Sequence, residues 1–207
     1  LVLLYLLFAI SGFAALIYES VWSHYLALLL GHSANAQSLV LVIFMGGIAA
    51  GSWIASRFSD RVKYPLKIYA LIEIAVGLVA VVFHGVFDFS FNFFLESIVP
   101  VYGDSLVTET IATLIAATLI APQSILLGAT FPLMSASVVR VASGDAGSRI
   151  AVLYFVNSAG AAIGVLASAF WLIRMVGLPG AILTAGLLNI FVGFAVWMAY
   201  TSRDSTG

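Results

Sequence analysis

Two glutamates lie inside long apolar stretches, where ionisable side chains are rare and usually face a cavity or a partner. Glu19 belongs to a mostly apolar run that begins at Leu1, and isoleucine, alanine and valine surround Glu73. At a helical rise of ~1.5 Å per residue, Glu19 lies about 25 Å from one membrane face and Glu73 about 10 Å from that same face. The two carboxyl groups are therefore predicted to belong to different sites.

Aromatic residues cluster around Glu19 in the sequence. Tyr18, Trp22, His24 and Tyr25 lie within two helical turns of it, and such a set can bind an organic cation by charge and cation–π contact. An aromatic belt at the membrane surface with a solvated glutamate is an equally supported interpretation. The segment is one candidate substrate-binding site.

A second candidate site follows from a repeat. The stretch Glu73-Ile-Ala-Val-Gly77 recurs 116 residues later as Asn189-Ile-Phe-Val-Gly193. Both polar residues are expected to face the interior, where Glu73 either exchanges a proton or cation during transport or serves as a hydrogen-bonded packing residue. Asn157 is a further candidate, expected to join helices rather than to bind a ligand.

Glycines form a second repeated pattern. Gly47 and Gly51 recur 113 residues later as Gly160 and Gly164, and small residues four positions apart form a smooth helix face. They are predicted to pack helices closely rather than to contact a substrate. Together the repeats predict two halves of three spans with opposite orientation, the inverted-repeat plan of secondary transporters; chance similarity between apolar helices is the alternative.

The composition predicts an all-α integral membrane protein. Hydrophobic residues make up 63% of the chain and charged residues 8%, whereas a soluble domain has about 25% charged residues. One crossing of the bilayer takes about 20 apolar residues. We therefore predict a single domain with six transmembrane helices near 2–21, 39–57, 66–87, 106–139, 150–175 and 181–200. The fourth contains Pro122 and Pro132, which predicts a kink.

The basic residues predict the orientation. Seven of the eight lysines and arginines lie on one side of the predicted spans, and the positive-inside rule makes that side, with both termini, cytoplasmic. Arg174 is the exception, and the opposite loop carries Asp88, Glu96 and Asp104. The seven are Arg57, Arg61, Lys63, Lys67, Arg140, Arg149 and Arg203.

Several functions are excluded or disfavoured. The chain has no cysteine, so disulfides and thiolate chemistry are excluded, and its net charge of −1 argues against nucleic-acid binding. We find no spacing typical of a metal site, a phosphate loop or a nucleophile elbow. No catalytic residue, metal or cofactor is predicted within these residues.

The stretch from Gly46 to Arg61 resembles the second span and following loop of major facilitator transporters. In that superfamily an aspartate and basic residues of this loop latch neighbouring helices in one access state. The resemblance implies a gating or structural role for Asp60 and Arg61 and the size of half a transporter. Since a complete transporter encloses its substrate with twelve spans, we expect a homodimer.

A longer resemblance connects the chain with fused major-facilitator/spermidine-synthase proteins. It implies a bacterial inner-membrane location and, beyond Gly207 on the cytoplasmic side, an aminopropyltransferase domain that is absent here. That domain would use decarboxylated S-adenosylmethionine and a polyamine. The resemblance rests on segments that occur in order: Ser11–Trp22, Gly46–Arg61, Leu127–Leu133, Leu153–Gly160 and Gly177–Gly180.

Three functions remain open at this point. The first is a half-transporter module that binds or moves a polyamine or related cation through Glu19 or Glu73. The second is a non-transporting membrane anchor or regulatory domain for the transferase. The third is the handling of a lipid or another hydrophobic substrate, suggested by the five phenylalanines within residues 87–94.

Overall fold

A computed structural model describes residues 1–31, 33–59, 61–141 and 145–204, and every regular element in these ranges is helical. The prediction of an all-helical fold is therefore confirmed for the residues described. In order, the elements are α1 (Val2–Leu30), α2 (Ser33–Ser59), α3 (Pro65–Phe93), a π-helical turn (Phe94–Ile98), α4 (Val99–Tyr102), α5 (Leu106–Val141), α6 (Ala146–Ala167), a second π-helical turn (Ser168–Leu172) and α7 (Ile173–Asp204).

Within the described ranges, five helical segments are long and apolar enough to cross a membrane. They are consistent with a membrane protein. The last of them has 54 residues and covers the region in which two spans, near 150–175 and 181–200, were predicted, up to Ala199. The five segments are Val2–Leu30, Ala34–Ser59, Pro65–Tyr102, Leu106–Arg140 and Ala146–Ala199.

Local chemistry explains where α1 ends and α6 begins. Gly31 adopts a φ of 72°, which costs glycine little, and its N–H donates to the Ala27 carbonyl at 3.0 Å. At the start of α6, the Asp145 carboxylate accepts hydrogen bonds from the backbone N–H groups of Gly147 and Ser148. Each contact satisfies backbone groups that the helix itself leaves without partners.

The long carboxy-terminal segment is broken at Gly177. This glycine has φ 69° and ψ −179°, a conformation that other residues avoid. Pro179 follows two residues later and lies at the start of the next helical stretch, where its fixed φ is well suited. The chain therefore changes direction within α7. By contrast, Pro122 and Pro132 lie inside α5 without ending it.

Three helix pairs make the most extensive contacts: α2 with α5, α3 with α7, and α1 with α6. Two further pairs, α1 with α7 and α3 with α5, connect them into one bundle. Backbones approach closely where glycines replace larger side chains. A Cβ on Gly51 would overlap the Ile125 carbonyl oxygen, and a Cβ on Gly164 would overlap that of Phe13.

The buried side chains form two apolar clusters, one toward each end of the bundle. The cluster near the end of α1 includes packed aromatic rings: Tyr25 lies 4.5 Å from Phe87 and 5.5 Å from Phe83 between ring centroids. The other cluster, near the start of α1, is built around Phe8 and Tyr69. Many large apolar side chains on the outer faces are exposed, as expected where lipid replaces water.

Candidate functional site

Five buried polar side chains lie close together inside the bundle, and we call them the Glu73 cluster: Ser11, Tyr18, Tyr69, Glu73 and Asn189. Ser11 Oγ donates to Glu73 Oε1 at 2.6 Å, and Asn189 Nδ2 donates to Glu73 Oε2. Tyr18 Oη donates to Asn189 Oδ1 at 2.9 Å. All five side chains are buried. Glu73 and Asn189, 116 residues apart in the sequence, therefore bond directly to each other.

Helical spacing explains how three helices supply the Glu73 cluster. Ser11 and Tyr18 are seven residues apart on α1, and Tyr69 and Glu73 are four apart on α3, so each pair shares one helix face. The Tyr69 hydroxyl lies near the Glu73 carboxyl group but makes no hydrogen bond of ordinary geometry. The sequence patterns did not single out Ser11 or Tyr69 as site residues, because a serine or tyrosine in an apolar helix carries no distinctive signal.

Close packing of α3 on α7 brings the carboxyl and amide groups together. A Cβ on Gly77 would lie 2.5 Å from the Gly186 carbonyl oxygen, and a Cβ on Gly193 would lie 2.7 Å from that of Ala70. Both distances are shorter than real Cβ contacts. Gly77 and Gly193, each four residues after Glu73 and Asn189, therefore allow α3 and α7 to approach this closely.

A central cavity of about 120 Å³ lies between α1, α2, α5 and α6. Ser11 lines it and also donates to Glu73, so one residue contacts both the cavity and the Glu73 carboxyl group. The other polar side chains of the cavity wall are Ser52, Thr130 and Asn157. Hence each of the four helices contributes a polar side chain to the wall of a mostly apolar cavity.

A larger cleft of about 360 Å³, the Glu19 cleft, lies between α1, α2 and α6 toward the end of α1. Glu19 is half-buried there, and within the described residues its carboxylate has no hydrogen bond or ion pair. His24 Nδ1 lies 2.8 Å from the Ser20 carbonyl oxygen. The polar lining consists of Glu19, Ser20, Ser23, His24 and Gln37.

The two aromatic residues predicted to bind a cation beside Glu19 lie on another face of α1. Tyr18 and Trp22 are fully buried and stack on each other, with ring centroids 5.5 Å apart. Trp22 also contacts Phe44 and Phe83. The structure therefore places Glu19 in the cleft and the two aromatic rings in the core.

Asn157 and the predicted glycines join helices. Asn157 Nδ2 donates to the Phe8 carbonyl oxygen at 3.1 Å and so connects α6 to α1. Gly160 lies against the backbone of Ala9, and Gly47 lies against Ser124 of α5. Both glycines therefore lie where two helices approach closely.

The resemblance to major facilitator transporters implied a gating or structural role for Asp60 and Arg61 in the loop between α2 and α3. Asp60 lies outside the described residues, and Arg61 is an exposed turn residue whose N–H donates to the Phe58 carbonyl. Arg140, at the end of α5, donates to the carbonyl oxygens of Val62 at 2.6 Å and Ser59 at 3.1 Å. The sequence pattern marked Arg140 only as an indicator of orientation and gave no sign of this contact between helix and loop.

The described residues contain no group of three or more histidine, cysteine, aspartate or glutamate side chains placed to hold a metal ion. The carboxylates, hydroxyls and amides of the two polar sites can accept or donate protons and hydrogen bonds.

No protein-family model and no solved structure matches the chain. Among curated proteins, it is similar to polyamine aminopropyltransferase 2 of Streptomyces coelicolor, with 29% identity over 196 residues. The shared region covers 92% of this chain and 33% of that protein, so the chain spans about one third of its relative's length. The likeness is compatible with the predicted link to spermidine synthase-like proteins and gives no support to the resemblance to major facilitator transporters.

Proposed function

We propose that the chain is the membrane module of a spermidine synthase-like protein and that its Glu19 cleft binds a polyamine or related organic cation. The likeness to polyamine aminopropyltransferase 2 over 92% of the chain is the observation that carries the first part. In this proposal the module holds a transferase domain at the inner surface of the bacterial cytoplasmic membrane. That domain would use decarboxylated S-adenosylmethionine and a polyamine.

We further propose that the chain crosses the membrane six times as two inverted three-span repeats. A 54-residue helical segment would be about 80 Å long if straight, far more than the ~30 Å hydrocarbon layer, and Gly177 breaks it. The contacts follow the same symmetry: Gly77 packs on Gly186, and Gly193 packs on Ala70, with each residue 116 positions from its counterpart. Basic residues at the ends of α2 and α5 support cytoplasmic termini.

The chemistry of the Glu19 cleft supports cation binding. An ammonium group donates hydrogen bonds and carries positive charge, and the cleft offers a carboxylate, two serine hydroxyls and an amide. The surrounding end of the bundle is acidic. Among the described residues there, four carboxylic side chains stand against one arginine, Arg174. Such a field attracts cations from solution. The acidic residues at this end are Asp88, Glu96, Asp104 and Glu109.

Equilibrium binding of radiolabelled spermidine to the chain in lipid nanodiscs tests the proposed site. We expect Glu19→Gln to weaken binding by about tenfold or more, because a charge-assisted hydrogen bond is worth about 1.5–3 kcal/mol. Glu96→Gln is the matched control, since Glu96 is an exposed carboxylate at the same end and its substitution removes an equal charge. If both variants bound spermidine equally more weakly, general charge attraction would explain the loss, and a binding site in the cleft would be contradicted.

A non-transporting anchor or regulatory domain is the second candidate, and the packing of the interior favours it over a transport path. Glu73 and Asn189 are fully buried and bonded to each other, and the central cavity is about 120 Å³. Spermidine uptake into proteoliposomes distinguishes a transporter from a non-transporting anchor. Saturable uptake supports transport, whereas binding without uptake supports the anchor. Since six spans correspond to half a transporter, uptake should be accompanied by a homodimer in mild detergent.

A further inference from the structure

Ser11 is the one member of the Glu73 cluster that also lines the central cavity. The residue is 2% exposed, and its Oγ lies 2.6 Å from Glu73 Oε1. The cavity has room for several water molecules, and the polar groups of its wall can hold them. A hydroxyl in this position connects a buried carboxyl group to a space that water can occupy.

The hydrogen bonds of the Glu73 cluster suit two charge states. As an ionised carboxylate, Glu73 accepts from Ser11 at one oxygen and from Asn189 at the other. As a neutral carboxyl group, it needs an acceptor for its own O–H. The Ser11 hydroxyl can turn and accept that proton, because a hydroxyl is both donor and acceptor, whereas the Asn189 NH₂ group only donates.

We propose that Glu73 is a reversible proton-binding site that exchanges protons with the central cavity through Ser11. A hydronium ion in the cavity gives one proton to Ser11 Oγ, while the original Ser11 proton passes to Glu73 Oε1. One O–H bond forms and one breaks at Ser11, the hydronium becomes water, and the carboxylate becomes a neutral carboxyl group. The reverse sequence releases the proton.

The surroundings of Glu73, among the residues that the structure describes, contain no fixed positive charge that would hold it permanently ionised. The titratable groups that face it are Tyr18 from α1 and Tyr69 from its own helix. On α7 it meets the amide of Asn189, and on α5 the nearby Gln123 donates to the Val76 carbonyl at 3.1 Å. The charged residues of α5 and α7 lie at the helix ends or near the Gly177 break.

Infrared difference spectroscopy of the full chain in lipid nanodiscs tests this proposal. A step in pH should produce or remove a carbonyl band of a protonated carboxyl group, and transfer to D₂O should shift it as the proton exchanges. Glu73→Gln should abolish the band. Ser11→Ala should slow its exchange by about tenfold or more, the lower range of what a positioned proton-transfer group contributes.

Ser137→Ala is the matched control, because Ser137 is also buried but its hydroxyl donates to the Leu133 carbonyl of its own helix. It should leave the band and its exchange unchanged. Should Glu73→Gln fail to fold, Tyr18→Phe assigns the band instead, since removing the donor to Asn189 should shift its frequency. The proposal would be overturned if neither Glu73→Gln nor Tyr18→Phe changed the band. It would also be overturned if the proton exchanged at equal rates in Ser11→Ala and Ser137→Ala. These outcomes do not depend on polyamine binding.

Discussion

Substitution of Gly51 by alanine is expected to destabilise the bundle strongly, although it adds a single methyl group. The new Cβ would overlap the Ile125 carbonyl oxygen and would lie 2.8 Å from the Ile125 carbonyl carbon and 3.1 Å from the Ala129 nitrogen, against 3.4–4 Å for ordinary contact. All three are backbone atoms, which cannot rotate away. Hence α2 and α5 must separate along their interface.

The magnitude follows from the cost of overpacking. Adding a methyl group to a tightly packed interior typically costs about 1–3 kcal/mol, and we expect about 2 kcal/mol here because rigid backbone meets the methyl group. Separation would also loosen the reciprocal packing, in which Gly128 of α5 lies against the backbone of Ile48. A wider gap between the two helices weakens the dispersion attraction between their facing atoms as well.

Gly46 provides a matched control on the same helix. A Cβ on Gly46 would meet no atom within 4 Å, so Gly46→Ala should leave stability unchanged or raise it slightly through better helix propensity. Reversible unfolding in mixed micelles, with helicity as the readout, measures both variants. If the free energies of unfolding of Gly51→Ala and Gly46→Ala agreed within about 0.5 kcal/mol, the inferred close approach of α2 and α5 would be refuted.

Three other perturbations give distinct outcomes. Asn189→Leu should lower the free energy of unfolding by about 1–3 kcal/mol, since it leaves Glu73 without one of its buried donors; the same assay measures it, and an unchanged value would contradict the assigned hydrogen bond. Gly177→Ala should cost about 1–3 kcal/mol because of its positive φ, whereas Gly85→Ala, in an open helical position, should leave stability unchanged or raise it slightly; equal stabilities would argue against the break. Arg140→Ala should speed proteolysis of the loop between α2 and α3, because it removes two hydrogen bonds to carbonyl groups at the start of that loop; unchanged cleavage kinetics would show that Arg140 does not restrain the loop.

The candidate sites illustrate how far periodicity reaches. Neighbouring residues on a helix point about 100° apart, so the side chains of Tyr18 and Glu19 must face different surroundings. Sequence position alone does not say which neighbour lies on each side, because lipid and protein interior are both apolar. In the structure, Tyr18 belongs to the buried Glu73 cluster, whereas Glu19 lines a cleft between α1, α2 and α6.

Composition and spacing by themselves determined that the chain is helical and apolar, and they predicted that several glycines lie at close helix contacts. These properties are local, since they depend on residue type and on the period of a helix. The tertiary structure decided that Glu73 bonds to Asn189 and Ser11 and that Arg140 holds the loop at Val62. Such partners come from helices far apart in the sequence, and only the packing of the whole bundle determines which side chains meet.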